Sequence, residues 1–167
     1  MARLLLPMSM LSLLSIGAIF GFFYAWVCST MWGLDATDPR TAIAAMQAMN
    51  TSVRNAVFFP AFFLTPIILA ATAFIAARQS RNKSAVHFGL AAILYIVGAL
   101  LVTATVNVPM NEALAEVAVP TDIGSAREIW QDYSASWQVW NLLRTILSGV
   151  CLILTGLAIY FLNSESA

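Results

Sequence analysis

The chain has 167 residues, of which 60% are hydrophobic and 10% are charged, and its mean hydropathy is +0.83. A soluble domain carries about 25% charged residues, so these values exclude a water-soluble domain and require an apolar surface that faces lipid. The net charge is zero, with eight Lys and Arg against eight Asp and Glu, which argues against a nucleic-acid partner.

Four apolar runs are long enough to cross a bilayer, which takes about 20 helical residues. They cover about residues 8–34, 57–77, 85–106 and 142–162. The pattern predicts an all-α membrane protein, a four-helix bundle formed by a single domain (1–167). The first run is too long for the apolar part of a signal peptide, and no small-x-small cleavage site closes it. We therefore expect an uncleaved span.

A short helix is predicted between the first two runs. Asp38 followed by Pro39 is typical of a helix start, because aspartate is a favoured N-cap and proline fits the first helical position. From there to about Asn55 the segment is weakly amphipathic, with Ile43 and Met46 near one face. We expect this helix to lie over the mouth of the bundle.

Small residues recur at a spacing of four in the first run, at Gly17, Gly21 and Ala25. This spacing predicts a groove in which another helix packs closely. Glycines that could serve the same purpose in the third and fourth runs are Gly89, Gly98, Gly149 and Gly156.

The distribution of basic residues predicts the orientation. The connection between the second and third runs carries Arg78, Arg81 and Lys83 and no acid, and Arg3 marks the same side. Short cytoplasmic connections are enriched in Lys and Arg. We therefore expect both termini in the cytoplasm and the two longer connections outside, in a bacterial inner (plasma) membrane.

Two asparagines lie at the outer end of the third run. Asn107 and Asn111 are four residues apart and share a face if the helix continues past Pro109, which removes one N–H group. The alternative is a helix stop at which both side chains cap free carbonyl groups.

A polar and aromatic stripe opens the fourth run. Trp137, Trp140, Asn141, Arg144 and Ser148 follow the i, i+3, i+4 spacing of one helix face. Arg144 lies about 10 Å below Trp137, where a charge costs about 2.5–3.5 kcal/mol unless the side chain snorkels to the interface. Snorkelling, and interface anchoring by the two tryptophans, are therefore the alternatives to a binding site.

A binding site at this depth would combine amides, one guanidinium and aromatic rings. Such a set can bind an anionic or carbonyl-bearing aromatic molecule. Further candidates for it from the outer helix and the second run are Gln47, Asn50 and Phe59.

No metal or cofactor is expected from the sequence. His87 is the single histidine, and it lies about 30 Å from Asn107 along the third span. No cluster of residues offers zinc or iron ligands.

Three motifs occur in order along the chain: Met46-Gln-Ala-Met-Asn50, Asn107-Val-Pro-Met-Asn111 and Trp137-x-x-Trp-Asn141-x-x-Arg144. In this order and on this four-helix layout, the chain resembles the anthrone oxygenase-like family (DUF1772). The resemblance spans nearly the whole chain. It implies oxidation of the benzylic methylene of an anthrone to a quinone by molecular oxygen without a cofactor, here at the outer membrane face.

The resemblance also implies roles for the candidate residues. Stabilisation of the substrate oxyanion would fall to Arg144, Asn107, Asn111 and Asn141. Stacking on the rings would fall to Trp137, Trp140 and the phenylalanines of the second span. No general base is assigned; Glu112 and Asp132 are the candidates, and both are also plausible as solvated charges.

The residues leave two other functions open. One is an accessory subunit whose small-residue groove holds a partner of a membrane complex or a second copy of the chain. The other is a binder of a lipid or quinone without chemistry. An enclosed volume of at least about 300 Å³ that reaches Arg144 would favour a ligand, since small-molecule sites are typically this large.

Overall fold

The computed structural model describes residues 2–164, with side chains for residues 4–162. Every regular element in this part of the chain is helical. Helix α1 (Ala2–Ala25) continues through a π-helical turn (Trp26–Thr30) into α2 (Met31–Asp35). The remaining helices are α3 (Pro39–Ser52), α4 (Phe58–Arg78), α5 (Asn82–Tyr95), α6 (Val108–Ala115) and α7 (Ile123–Ser164). Two π-helical segments, Ile96–Leu101 and Thr103–Asn107, lie between α5 and α6.

Four stretches of the described residues are long and apolar enough to cross a membrane. They are Leu4–Asp35, Phe58–Arg78, Asn82–Ala115 and Ile123–Leu162. Helix α1 packs against α4 and α7, and α5 packs against the same two helices. The predicted all-α, four-span membrane protein is confirmed.

Large apolar side chains cover the outside of the bundle as well as its core. Leu14 is 71% exposed and Phe74 is 63% exposed, whereas Ile16 and Phe88 are fully buried. Water would penalise such a surface, whereas lipid does not. The exposed apolar belt is therefore the face that meets the membrane.

Helix α3 covers one end of the bundle, which we term the capped end. Asp38 is its N-cap and accepts a hydrogen bond from the Arg40 backbone N–H (2.9 Å), as predicted. The Arg40 side chain also donates to this carboxylate and lowers the pKa of Asp38 to about 2. Ile43 and Met46 are fully buried in a cluster with residues of α6 and α7.

The last connection is much shorter than the sequence predicted. The third apolar run ends at about residue 106 and the fourth begins at about residue 142, so a long connecting loop was expected between them, but α6 ends at Ala115 and α7 begins at Ile123. The early turns of α7 bury Trp130 and Tyr133 beneath α3, which stabilises a helix beyond the apolar run. A search for apolar runs detects only the lipid-embedded part of such a helix.

A carboxylate ties the end of the first span to α7. Asp35 accepts hydrogen bonds from Trp130 Nε1 (2.9 Å), Ser134 Oγ (2.7 Å) and Gln138 Nε2 (2.9 Å). The three donors lie on successive turns of α7, so this contact sets the position of α2 at the capped end.

Close helix packing occurs at other glycines than those of the first span. Gly21 and Ala25 are exposed, and a Cβ on Gly21 would meet nothing within 4 Å. A Cβ on Gly98, by contrast, would lie 2.5 Å from Leu147 Cδ1, and one on Gly149 would lie 3.2 Å from Phe20. The outer part of the predicted groove, Gly21 and Ala25, therefore faces outward. The close approaches join α7 to the π-helical segment Ile96–Leu101 at Gly98 and to α1 at Gly149.

The basic residues Arg78, Arg81 and Lys83 gather at the opposite end from the cap, around the turn that closes at Ser80 (φ 60°). The side chain of Arg3 lies outside the described residues. The side of the membrane on which each end lies stays a prediction from the placement of Lys and Arg.

A tyrosine replaces the backbone hydrogen bond that a proline removes from the second span. Proline has no N–H, so Pro66 leaves the carbonyl of Phe62, four residues earlier, without its helical partner. Tyr95 Oη on α5 donates to that carbonyl at 2.8 Å. The bond satisfies a buried backbone group in a part of the protein that water does not reach.

Tyr95→Phe is expected to destabilise the fold by about 1–3 kcal/mol, because it strands the Phe62 carbonyl. In a Pro66→Ala background the same substitution is expected to cost clearly less, since residue 66 then supplies its own N–H. Denaturant unfolding of the four proteins of this cycle in one detergent measures the difference. Equal costs in both backgrounds would show that the tyrosine acts by packing alone.

Candidate functional site

A cavity of about 310 Å³ opens at the capped end of the bundle. It reaches Arg144 and thus meets the size expected of a small-molecule site. Residues from α1, α3, α4, α6 and α7 and from the π-helical segments Trp26–Thr30 and Thr103–Asn107 line it. Its aromatic wall consists of Phe22, Phe23, Trp26, Phe58, Phe59, Phe62, Phe63 and Trp137.

Arg144 forms the base of this cavity. The residue is 5% exposed. Its Nη1 donates to Thr103 Oγ1 and its Nη2 to Asn141 Oδ1, both at 3.0 Å. The guanidinium lies 4.6 Å from the ring centre of Phe23 and 5.5 Å from that of Trp137. The side chain therefore points into the bundle and does not snorkel to the surface.

No carboxylate neutralises Arg144 among the residues that the structure describes. The ion pairs found there join Arg40 to Asp38 and Arg54 to Glu112. A guanidinium has five N–H donors, and the buried Nε of Arg144 has no partner in this part of the chain. Because burying an unpaired charge is costly, the base of the cavity favours an anionic ligand.

Two asparagines flank the guanidinium in different ways. Asn141 donates from Nδ2 to the Phe23 carbonyl (3.1 Å), which turns its Oδ1 toward Arg144. Asn107 is 1% exposed, and neither its Oδ1 nor its Nδ2 has a partner within the described residues. Buried polar groups are almost always paired. Asn107 thus offers one donor and one acceptor to a bound molecule.

The π-helical segment Thr103–Asn107 arranges one wall of the site. Thr103, Asn107 and Asn111 all line the cavity although they span more than two turns. On an α-helix, side chains four residues apart do not lie in one line along the axis, because each step of four turns the side chain slightly further around it. The wider π-helical turn, with its i to i+5 hydrogen bonds, reverses part of this rotation. The helix continues past Pro109, which lies in the first turn of α6.

A hydrogen-bonded chain orders the aromatic wall. Tyr133 Oη (2.8 Å) and Trp137 Nε1 (3.0 Å) both donate to Asn111 Oδ1. Asn50 Nδ2 in turn donates to Tyr133 Oη (3.3 Å). Asn111 therefore holds the indole of Trp137 in place, and that indole packs on Trp26 with ring centres 5.1 Å apart.

An exposed ion pair stands at the polar mouth of the cavity, where Arg54 Nη2 lies 3.2 Å from Glu112 Oε1. Glu112 is the one acid among the described residues that line the cavity. Asp132, the other candidate base, is exposed on α7 and is not part of the lining. A proton taken up by Glu112 can pass to water, since its side chain is 59% exposed.

Three of the predicted residues lie outside the cavity lining. Gln47 donates from Nε2 to the carbonyls of Leu114 (2.8 Å) and Val117 (2.9 Å), so it closes the end of α6. Trp140 lies at the edge of the α7 stripe and is 37% exposed. Predicted residues that do line the cavity are Asn50, Phe59, Asn107, Asn111, Trp137 and Arg144. Asn141 lies behind Arg144.

Several residues of the site did not stand out in the sequence. Tyr133 precedes Trp137 by one helical turn, but the expected loop concealed that it shares the stripe. Phe23 and Trp26 are three apart in the first span, a spacing that indicates a common helix face, but many other aromatic residues share such spacings. Thr103 carried no signal that separates it from other threonines in the spans.

The family model described as "Anthrone oxygenase" matches residues 51–154, more than half of the chain. The matched stretch begins in α3, ends in α7 and includes Asn107, Asn111, Asn141 and Arg144. No curated protein and no solved structure matches the chain.

Proposed function

The chain belongs to the anthrone oxygenase family, and on that premise we propose that it oxygenates a small phenolic or polycyclic aromatic molecule without a cofactor. The reaction takes place in the cavity at the capped end. Membership of this family supports the proposed type of reaction. Support for the location comes from the residues that line the cavity.

One observation carries this proposal: a buried guanidinium at the base of an aromatic cavity, with no counter-ion among the residues that the structure describes. Loss of a proton from the methylene of an anthrone places negative charge on the oxygen across the central ring. Arg144, with Asn107 beside it, supplies donors to that oxygen. Donors already oriented toward developing charge lower the barrier, because the site need not reorganise.

The reaction balances with molecular oxygen as the oxidant. A base removes one proton from the methylene, and the resulting carbanion, delocalised onto the oxygen, passes an electron to O2. The carbon radical and superoxide combine to form a C–O bond, and protonation gives a hydroperoxide. Loss of the second methylene proton with cleavage of the O–O bond leaves a carbonyl group and one water molecule.

Glu112 takes the first proton in this scheme. The carbonyl and methylene of an anthrone lie on opposite sides of the central ring, so a substrate whose oxygen meets Arg144 directs its methylene toward the mouth. Glu112 is the acid that lines the cavity there. Its exposed carboxylate can release the proton to water, which returns the base for the next turnover.

Oxygen uptake tests the proposal. Purified protein in detergent is expected to consume one O2 per quinone formed from an anthrone, faster than boiled protein, and at the same rate after dialysis against EDTA. The boiled control corrects for autoxidation of the anthrone. Binding of the anthrone without uptake above that control would refute the oxygenase and favour a carrier of aromatic molecules.

A further inference from the structure

We propose that the aromatic substrate enters the cavity sideways from the lipid phase, through a crevice between α1 and α4 that the rings of Phe22 and Phe58 gate. This inference rests on the proposed function for its choice of ligand. It adds a route and a gate to the site, and neither is needed for the chemistry itself.

The crevice is an apolar hollow of about 470 Å³ on the bundle surface, next to the main cavity. Both helices cross the membrane, and the crevice lies at the first turns of α4, where the end of α3 and the connection after it also line its edge. Its walls on these two helices are Ala18, Ile19, Phe22, Phe58 and Ala61. Val57, directly before the second span, lines it too and is 84% exposed, so an apolar side chain at the opening is free to contact lipid.

The crevice and the main cavity share a wall. Residues that line both are Phe22, Trp26, Met49, Val53 and Phe58. The rings of Phe22 and Phe58 lie 4.7 Å apart and belong to different helices. Both side chains are only half-buried, so rotation of either ring toward the lipid joins the two spaces without movement of the backbone.

The other opening of the cavity has the opposite character. The polar mouth is lined by Asn50, Arg54, Asn111 and Glu112, which also line a surface hollow with Gln47 and Glu116. A fused-ring substrate partitions into the bilayer, since removal of apolar area from water gains about 25 cal/mol per Å². The charged mouth thus suits protons and water, and the crevice suits the substrate.

Two matched tryptophan substitutions separate the routes. Ala61→Trp fills the crevice from a position that does not itself line the main cavity, whereas Ala115→Trp fills the surface hollow at the polar mouth. Ala70→Trp places the same side chain on an exposed, distant part of α4. Ala18→Trp blocks the crevice from the α1 side, should the α4 variant fail to fold.

The experiment mixes vesicles that contain the protein with vesicles that contain anthraquinone and follows tryptophan quenching. With a closed crevice we expect association and dissociation each to slow about tenfold with an unchanged Kd, because a gate alters both rates equally. Phe22→Ala is expected to speed both. Ala115→Trp and Ala70→Trp are expected to keep the wild-type rates.

Unchanged rates in the crevice variants, or slow binding in Ala115→Trp instead, would overturn the lateral route. Oxygen uptake with an anthrone on the same samples tests the proposed function separately. The expected rate pattern without uptake refutes the oxygenase and leaves the route. Uptake with unchanged rates refutes the route alone, and no binding of anthraquinone by the wild type refutes both.

Discussion

Arg144→Leu is expected to lower kcat/KM for an anthrone by about 100- to 1,000-fold, the loss typical of removing one donor to an oxyanion. Arg144 is the buried cation at the base of the cavity, and leucine fills similar space without donors. Oxygen uptake at several anthrone concentrations measures the effect. The rate constant kcat is expected to fall more than binding, because the charge develops in the transition state.

Stability provides the check on this variant. Replacement of a buried, unpaired charge by an apolar side chain is often neutral or stabilising, so the thermal midpoint of Arg144→Leu is expected to hold or rise. Arg127→Leu is the matched control, because Arg127 lies exposed on the same helix outside the cavity. Wild-type activity in a folded Arg144→Leu protein would show that the guanidinium takes no part in the mechanism.

Glu112→Gln is expected to lower kcat by about 100-fold or more at neutral pH, the range of a lost general base. Glutamine keeps the size of the side chain but cannot accept the methylene proton. KM is expected to change little, since Glu112 lies at the mouth and the aromatic wall is intact. Stability is expected to stay within about 1 kcal/mol, because exposed ion pairs such as Arg54–Glu112 contribute little.

The pH dependence distinguishes a base from a merely structural residue. As the pH rises toward the pKa of the substrate methylene, hydroxide or the ionised substrate replaces the base, and the deficit of Glu112→Gln is expected to shrink. Glu116→Gln, one turn further along and outside the cavity lining, is the matched control. A deficit that is constant with pH, or shared by Glu116→Gln, would show that another group takes the proton.

The residues that line the site were partly readable from the sequence. Arg144 and Asn141 were identified from helical spacing and the cost of a charge in an apolar run, and Asn107 and Asn111 from a spacing of four. A polar residue near the site does not always face the cavity, however. Gln47 is polar and lies on α3 near the mouth, yet its amide donates to the carbonyls of Leu114 and Val117 at the end of α6. These carbonyls occupy its donors, so the side chain does not face the cavity.

Trp140 shows the same limit for an aromatic residue. Its spacing from Trp137 is that of a shared face, but a helix buries only the part of its surface that a neighbour covers. The buried stripe of α7 runs through Trp130, Tyr133, Trp137 and Arg144, and Trp140 falls at its margin. Spacing predicts which residues are neighbours on one helix, and the packing of other helices decides which of them are covered.

By itself the sequence determined the class of protein, the four spans, the cap of α3 at Asp38 and a polar group at one end of the bundle. These follow from local rules, namely the length of apolar runs and the preferences of single residues. Only the tertiary structure decided that α7 extends beneath α3, that Tyr95 serves the carbonyl freed by Pro66, and that Arg144 has no counter-ion in the described residues. Each of these depends on which side chains from distant parts of the chain come into contact. Such contacts produce no periodic pattern and no fixed residue spacing in the sequence from which they could be predicted.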